Sequence, residues 1–385
     1  MNALNQRAEH QLIFCVARRK LDADAVIRLR NLLTQSLDWI YLKELAFDQG
    51  LFPLLALHVI SHGADLVPAV VIDGLRSELV TNRQGNLHLV RELVRVLSRF
   101  KSAGIPALAF KGPVLGQLVY EDIGLRQAGD LDILIRPGDF HRAADVLHEL
   151  AYKIGLDLTP AQEKARFRFH CEILFRHEDC FSVVDLHWGI TPRIFPLTLT
   201  SEDFLANRKE IYLGGYPTET FTDEDLVFYL SVNAAKDYFR KLERLTTMAE
   251  LIRSRSHLSW EAVARKADKA RAKRILCLAL MLVESLYELP VPSEFADLAA
   301  SSDLRETAGM IRTNLLTNIN VPNQFQAFRW NQRFMPAKDA YLSLMHATFV
   351  PTISDWQAFA LPDALYPLYY FLRPLRLLTK YVSPR

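Results

Sequence analysis

The segment "AFKGPVLGQLVYEDIGLRQAGDLDILIRPGDF", residues 109–140, decides how the rest of the chain is read. Within it, "DLDILI" (130–135) is a six-residue run rich in branched apolar residues, the pattern of a strand. On a strand, Asp130 and Asp132 stand two apart and point to the same face. Carboxylates that close repel one another unless they are protonated, solvated or neutralised. Magnesium supplies such neutralisation because it favours hard oxygen ligands. The spacing alone favours the plainer reading, an exposed strand beginning with two acidic residues, so the metal reading turns on what else converges there.

A third carboxylate sits in "SVVDLHW" (182–188), where Asp185 follows Val183 and Val184 and precedes Leu186. An acid near the centre of an apolar strand needs a partner. If this strand neighbours "DLDILI", all three aspartates converge. Three carboxylates can hold two metal ions and orient a water or hydroxyl for in-line attack on phosphorus. His187 shares the strand face of Asp185, and the expectation is that it bonds to the protein.

Lys111-Gly112 follows the short apolar run "IPALAF" (105–110). A glycine there lets backbone amides approach phosphate oxygens, and the following helix, "PVLGQLVY", would direct its N-terminus to the same place. Lys111 would offset phosphate charge. No Walker A sequence is present. Arg126, four residues before Asp130, is read as a phosphate clamp or as the partner of an aspartate, with a solvated arginine fitting the pattern equally well.

Working outward, residues 104–190 form an α/β core. Gly104 caps the preceding helix, Asp139 caps "FHRAADVLHELAY", and "FRFHCEILFR" and "FSVVDLHW" pair as a hairpin across "HEDC". Residues 1–103 read as helical, from apolar residues recurring at three- and four-residue spacing. Residues 191–385 read as mainly helical, with Thr222 and Ser259 as caps and the segment after 330 hard to divide. The fold class expected is therefore α+β, a mixed-sheet core flanked by N-terminal and C-terminal helical regions.

Composition bounds the rest. The 385 residues are half apolar, which argues against global disorder and for a large core. A net charge of +2 neither requires nor excludes a nucleic-acid partner. Four cysteines without a C-x-x-C leave no case for a disulfide framework or a structural zinc site, and a reducing, cytoplasmic setting is the expectation. The start of the sequence lacks the pattern of a secretory peptide. The longest strongly apolar run, Ile275 to Val283, is too short to span a bilayer, so no integral membrane association is expected. The aromatic and basic segment 365–385 is expected to pack onto the body of the protein, with contact to a membrane surface as the lesser alternative.

Taken in order, "FKG", "VYEDIGLRQAGDLDILI" and "VVDLHW" resemble the uncharacterised nucleotidyltransferase family of the DNA polymerase β-like superfamily. The resemblance is strongest over 104–190. It implies a polymerase β-like core, Asp130, Asp132 and Asp185 as metal-binding catalytic carboxylates, and Gly112 in the turn after the first core strand. Tyr120, Arg126 and the intact Leu186-His187-Trp188 also match. It further implies magnesium (manganese as substitute), an NTP co-substrate with ATP as the default, and transfer of a nucleoside monophosphate with release of pyrophosphate. Lys111 and Arg126 are the secondary candidates for positioning phosphate. Two departures stand out: Pro113 replaces the serine of the superfamily's common G-S turn, and Asn233 and Asp237 occupy a helix where relatives often carry histidines. The acceptor stays open among small molecule, peptide, protein and RNA end, with Arg166, Arg168 and Arg176 beside the core. An inactive nucleotide-binding or protein-interaction module and a metal-dependent phosphohydrolase are the alternatives.

Overall fold

In the computed structural model, which describes residues 7–155, 157–317 and 324–382, "DLDILI" becomes the buried heart of a five-stranded sheet. Strand β1 (Ala107–Ala109) pairs antiparallel with β2 (Leu131–Ile135), all five residues of which are buried. Beside β2 lies a parallel neighbour, and beyond it two antiparallel strands, β4 (Glu172–His177) and β3 (Tyr152–Ile154); the neighbour itself is β5 (Val183–His187). The order is thus β1-β2-β5-β4-β3, a mixed sheet flanked by helices in an α+β architecture. A strand buried on both faces can afford few polar side chains, which is why the two acids on β2 and β5 need an explanation.

The helix Phe140–Glu149 buries Phe140, Ala143, Ala144 and Leu147, the face its spacing predicts. Its N-cap residue Asp139 makes no capping bond and instead accepts from Arg142 Nη1 at 2.9 Å. A 3₁₀ turn, Pro137–Asp139, precedes it, so the helix is entered through turn geometry. The hairpin of β4 and β5 forms as expected, but residues 167–169 of the first arm belong to a helix, Pro160–Phe169. Thr159 starts that helix with a capping box closed by Gln162, a signal that outweighs the strand-like ring pattern "FRFH".

On the N-terminal side, helices Ala8–Val16, Ala23–Leu33, Trp39–Asp48, Phe52–Gly63 and the 34-residue Ala69–Ser102 precede the sheet. Gly104, with φ +66°, closes the last of these, as the glycine at that position suggests. On the C-terminal side, Thr222 and Ser259 do cap helices, Asp223–Lys236 and Trp260–Lys269. Each long helical segment is broken, however: at Tyr238 and Phe239, and at Arg271, all with positive φ. A two-stranded hairpin, β6 (Arg208–Leu213) and β7 (Tyr216–Phe221), turns through Gly214-Gly215 and was not anticipated. It brings Phe221 into a 4.7 Å stack on Phe110, beside β1.

Candidate active site

The parallel register sets Asp132 of β2 directly beside Asp185 of β5. Neighbouring strands lie about 4.8 Å apart, so two side chains on one face of adjacent strands are held as a pair by the backbone itself. Both aspartates are buried. His187, two residues beyond Asp185 on the same face, places Nε2 3.0 Å from Asp132 Oδ1 and 3.3 Å from Asp185 Oδ2. Its Nδ1 faces Glu172 Oε2 of β4 at 3.2 Å, and Phe110 closes against its ring edge-on at 5.1 Å. Lys111 Nζ donates to Asp132 Oδ1.

Two cations and two carboxylates thus meet in a buried volume. Burial alone would lower the pKa of Lys111 and of His187. The surrounding charges outweigh it: Asp132 and Tyr229 carry Lys111 well above its ordinary value, and bonds to Asp132, Asp185 and Cys171 do the same for His187. Burial would raise Asp132, yet Lys111 and His187 hold it well below the usual carboxylate range. Glu172 is likewise lowered against its own burial by His187 and Lys236. Asp130 differs. It stands just before β2, half-buried, and burial together with the charge of Asp132 pushes it up to about 6.

The donor atoms of Asp132, Asp185 and His187 all lie within 4.8 Å of one another, and Asp130 is outside that group. Asp132 Oδ2 and Asp185 Oδ1 are buried and accept no hydrogen bond from any of the described residues. An unpartnered buried carboxylate oxygen costs free energy. Two of them, on hard-donor carboxylates brought together by strand register, fit a divalent cation.

The phosphate half of the site follows the expectation in part. Gly112 has φ +51°, and a Cβ there would meet the Asp130 carbonyl oxygen at 2.9 Å, so the position needs glycine. The helix after it is a single turn, Gly112–Leu115, that runs into a π-turn, Gly116–Tyr120. Turn and π-segment run on without a break over Gly112–Tyr120, so the expected helix is present and its N-terminal turn opens at Gly112. Arg126 is held by Glu243, Nε to Oε1 at 2.9 Å, an acid but not one of the aspartates. Glu243 Oε1 also accepts from Thr247 Oγ1 at 2.9 Å, and Thr247 Oγ1 meets the Tyr120 hydroxyl at 3.1 Å. The buried series Arg126–Glu243–Thr247–Tyr120 ties the turn before β2 to the helix Leu242–Ser254.

Glu243 and Arg126 are 117 positions apart, and no local pattern marks the pair. Glu172 was detectable only as an acid opening an apolar strand, opposite His187 in register. Of the two departures noted in the helix Asp223–Lys236 and its end, Asp237 pairs with Arg240 and Arg244. Tyr229 of that helix lies beside Lys111, whose Nζ is 5.8 Å from its ring centre.

The family model of the uncharacterised nucleotidyltransferases matches residues 35–288, which span the whole sheet, the candidate site and the helices around it. The chain belongs to that family. No curated protein and no solved structure matches it significantly. Membership and the buried carboxylate cluster together support a nucleotidyltransferase-like activity in general terms.

Proposed function

We propose that the protein is a metal-dependent nucleotidyltransferase on a polymerase β-like core. It moves a nucleoside monophosphate from an NTP, ATP by default, to a hydroxyl or phosphate acceptor and releases pyrophosphate. The observation that carries this reading is the in-register pair Asp132 and Asp185, each with a buried oxygen that none of the described residues satisfies. Asp130, Asp132 and Asp185 would hold the metal. Bound magnesium neutralises charge on the phosphate oxygens and lowers the pKa of the attacking group.

The chain's own residues do the rest. Asp130 and Asp132 serve the triphosphate side, where Lys111 supplies positive charge. Asp185 serves the attacking side, orienting the acceptor hydroxyl and taking its proton as the new O–P bond forms and the bond to pyrophosphate breaks. His187 fixes both carboxylates at Nε2. Arg126, spoken for by Glu243, positions the turn that carries Asp130.

A second reading has one observation in its favour: Lys111 and His187 already offset the carboxylate charge, as a nucleotide-binding module without turnover would allow. Transfer of label from each α-labelled NTP, with magnesium or manganese, over small-molecule, protein and RNA acceptors separates the two. Transfer that falls at least about a hundredfold in both Asp132→Asn and Asp185→Asn supports the enzyme. Nucleotide binding with no turnover over all acceptors supports the module, and equal activity in wild type and variants removes the site assignment.

A further inference from the structure

The two C-terminal helices are inside out. In the helix Tyr369–Val382, the inward positions are Tyr369, Arg373 and Arg376; Arg373 Nη1 and Arg376 Nε bind the buried Asp355 at 2.5 and 2.6 Å. The opposite face carries Phe371, Leu375 and Leu378, at i, i+4 and i+7, exposed to 71%, 59% and 61%. The neighbouring helix Ala337–Phe349 repeats the inversion. It buries Asp339 and Ser343 and exposes Tyr341, Met345 and Phe349. A helix that packs on its own protein turns its apolar stripe inward; these two hold on through Tyr369, Ala340 and buried polar groups and leave a second apolar stripe outside. Apolar exposure of this kind marks an interaction surface.

Charge chooses the occupant. Residues 324–385 carry seven basic against three acidic residues, +4 in a chain whose total is +2. Two of the three acids, Asp339 and Asp355, are buried beside arginines, and no acid follows Asp363. A second copy of the chain would bring like charge against like charge, whereas an anionic lipid surface is complementary. No helix among the described residues is long and apolar enough to cross a membrane.

We propose that the C-terminal helical pair is a peripheral membrane-docking surface: the Phe371, Leu375 and Leu378 stripe enters the headgroup boundary of an anionic phospholipid bilayer, drawn there by the net positive charge of the segment. This stands independently of the nucleotidyl-transfer chemistry, because the stripe is remote in sequence from the sheet and its test needs no turnover.

The full chain is sedimented with phosphatidylglycerol-rich vesicles and with phosphatidylcholine vesicles, beside the variant Phe371→Glu/Leu375→Glu/Leu378→Glu. All three positions face solvent, so circular dichroism and thermal melting should be unchanged. The wild type should partition onto the anionic vesicles, release with salt, and lose about a hundredfold in partition in the variant. Wild type left in the supernatant with both vesicles overturns the proposal, as does binding that survives in the variant. A wild-type dimer that the variant turns into a monomer, without vesicle binding, assigns the face to a second copy instead.

Discussion

Lys111 and His187 are the two cations that Asp132 meets, and they differ in what their loss leaves behind. Lys111→Met removes one of two charges opposing a buried carboxylate. Breaking a buried pair from one side costs about 3–5 kcal/mol, and His187 reduces the loss here, so a fall of about 2–3 kcal/mol is expected by urea unfolding in EDTA. Magnesium should recover more stability in this variant than in wild type, because the carboxylate charge it meets is less compensated. An equal response to magnesium in both proteins would show that Lys111 and the ion do not share Asp132. At this scale the three aspartates were readable from spacing and from the acid in an apolar strand. What the sequence hid was register: that Asp132 rather than Asp130 lies opposite Asp185 depends on hydrogen bonding between strands some fifty residues apart. His187 was readable as a neighbour of Asp185, but its contact with both carboxylates follows only from that register.

The turn between β1 and β2 is where single elements decide the site. Gly112→Ala puts a side chain at φ +51° against a backbone oxygen, and a cost of about 1–3 kcal/mol is expected from strain alone. Thermal unfolding should register it, and transfer should fall with it, since the obstructing oxygen belongs to Asp130. A melting point equal to wild type would remove the steric argument. Arg126 and Glu243 form one unit across the chain. Arg126→Met and Glu243→Gln should each destabilise, and the double variant should cost clearly less than the two together, a coupling of about 1–3 kcal/mol in a double-mutant cycle. Additive losses would mean that the pair is incidental. Glycine was legible here because its chemistry is local. The helix after it was legible too, but not its π character from Gly116 onward, where a Cβ would lie 3.1 Å from Ile123 Cα, a packing constraint with no trace in periodicity.

Over the whole molecule, the α+β arrangement was legible because apolar period changes from helical to strand-like near residue 104 and back again after 222. The β6-β7 hairpin was not: its strands alternate charge with charge, as in "RKEIYL", and its burial comes from β1 and Phe110 rather than from its own pattern. The C-terminal helices were hard to divide because prolines, Pro367 and Pro374, sit inside their helical turns and blur the boundaries. Their anchorage has a pH signature. Burial, with His170, Arg373 and Arg193 adding positive charge nearby, lowers His346 to about 4, and burial with Arg166 lowers His170 to about 4. Both are neutral when folded, whereas the unfolded chain takes up protons near 6.5. Stability is therefore fully present above that value and falls as pH drops toward 4, by about 1–2 kcal/mol once partial exposure is allowed for. Hydrogen-exchange protection over 337–349, taken relative to the intrinsic amide rate at each pH, should fall between pH 7 and pH 5 in wild type and much less in His346→Gln. A pH-independent profile in wild type would remove the histidines from that role.

The measurement that bears most directly on the central claim is manganese binding, followed by electron paramagnetic resonance, to folded wild type, Asp132→Asn and Asp185→Asn with a non-hydrolysable nucleoside triphosphate present. If the two aspartates form one metal site, the wild type binds manganese in the presence of nucleotide and both variants lose that binding while keeping their fold. Manganese bound equally by all three proteins would contradict it, and the buried pair would then be a structural ion cluster held by Lys111 and His187 alone.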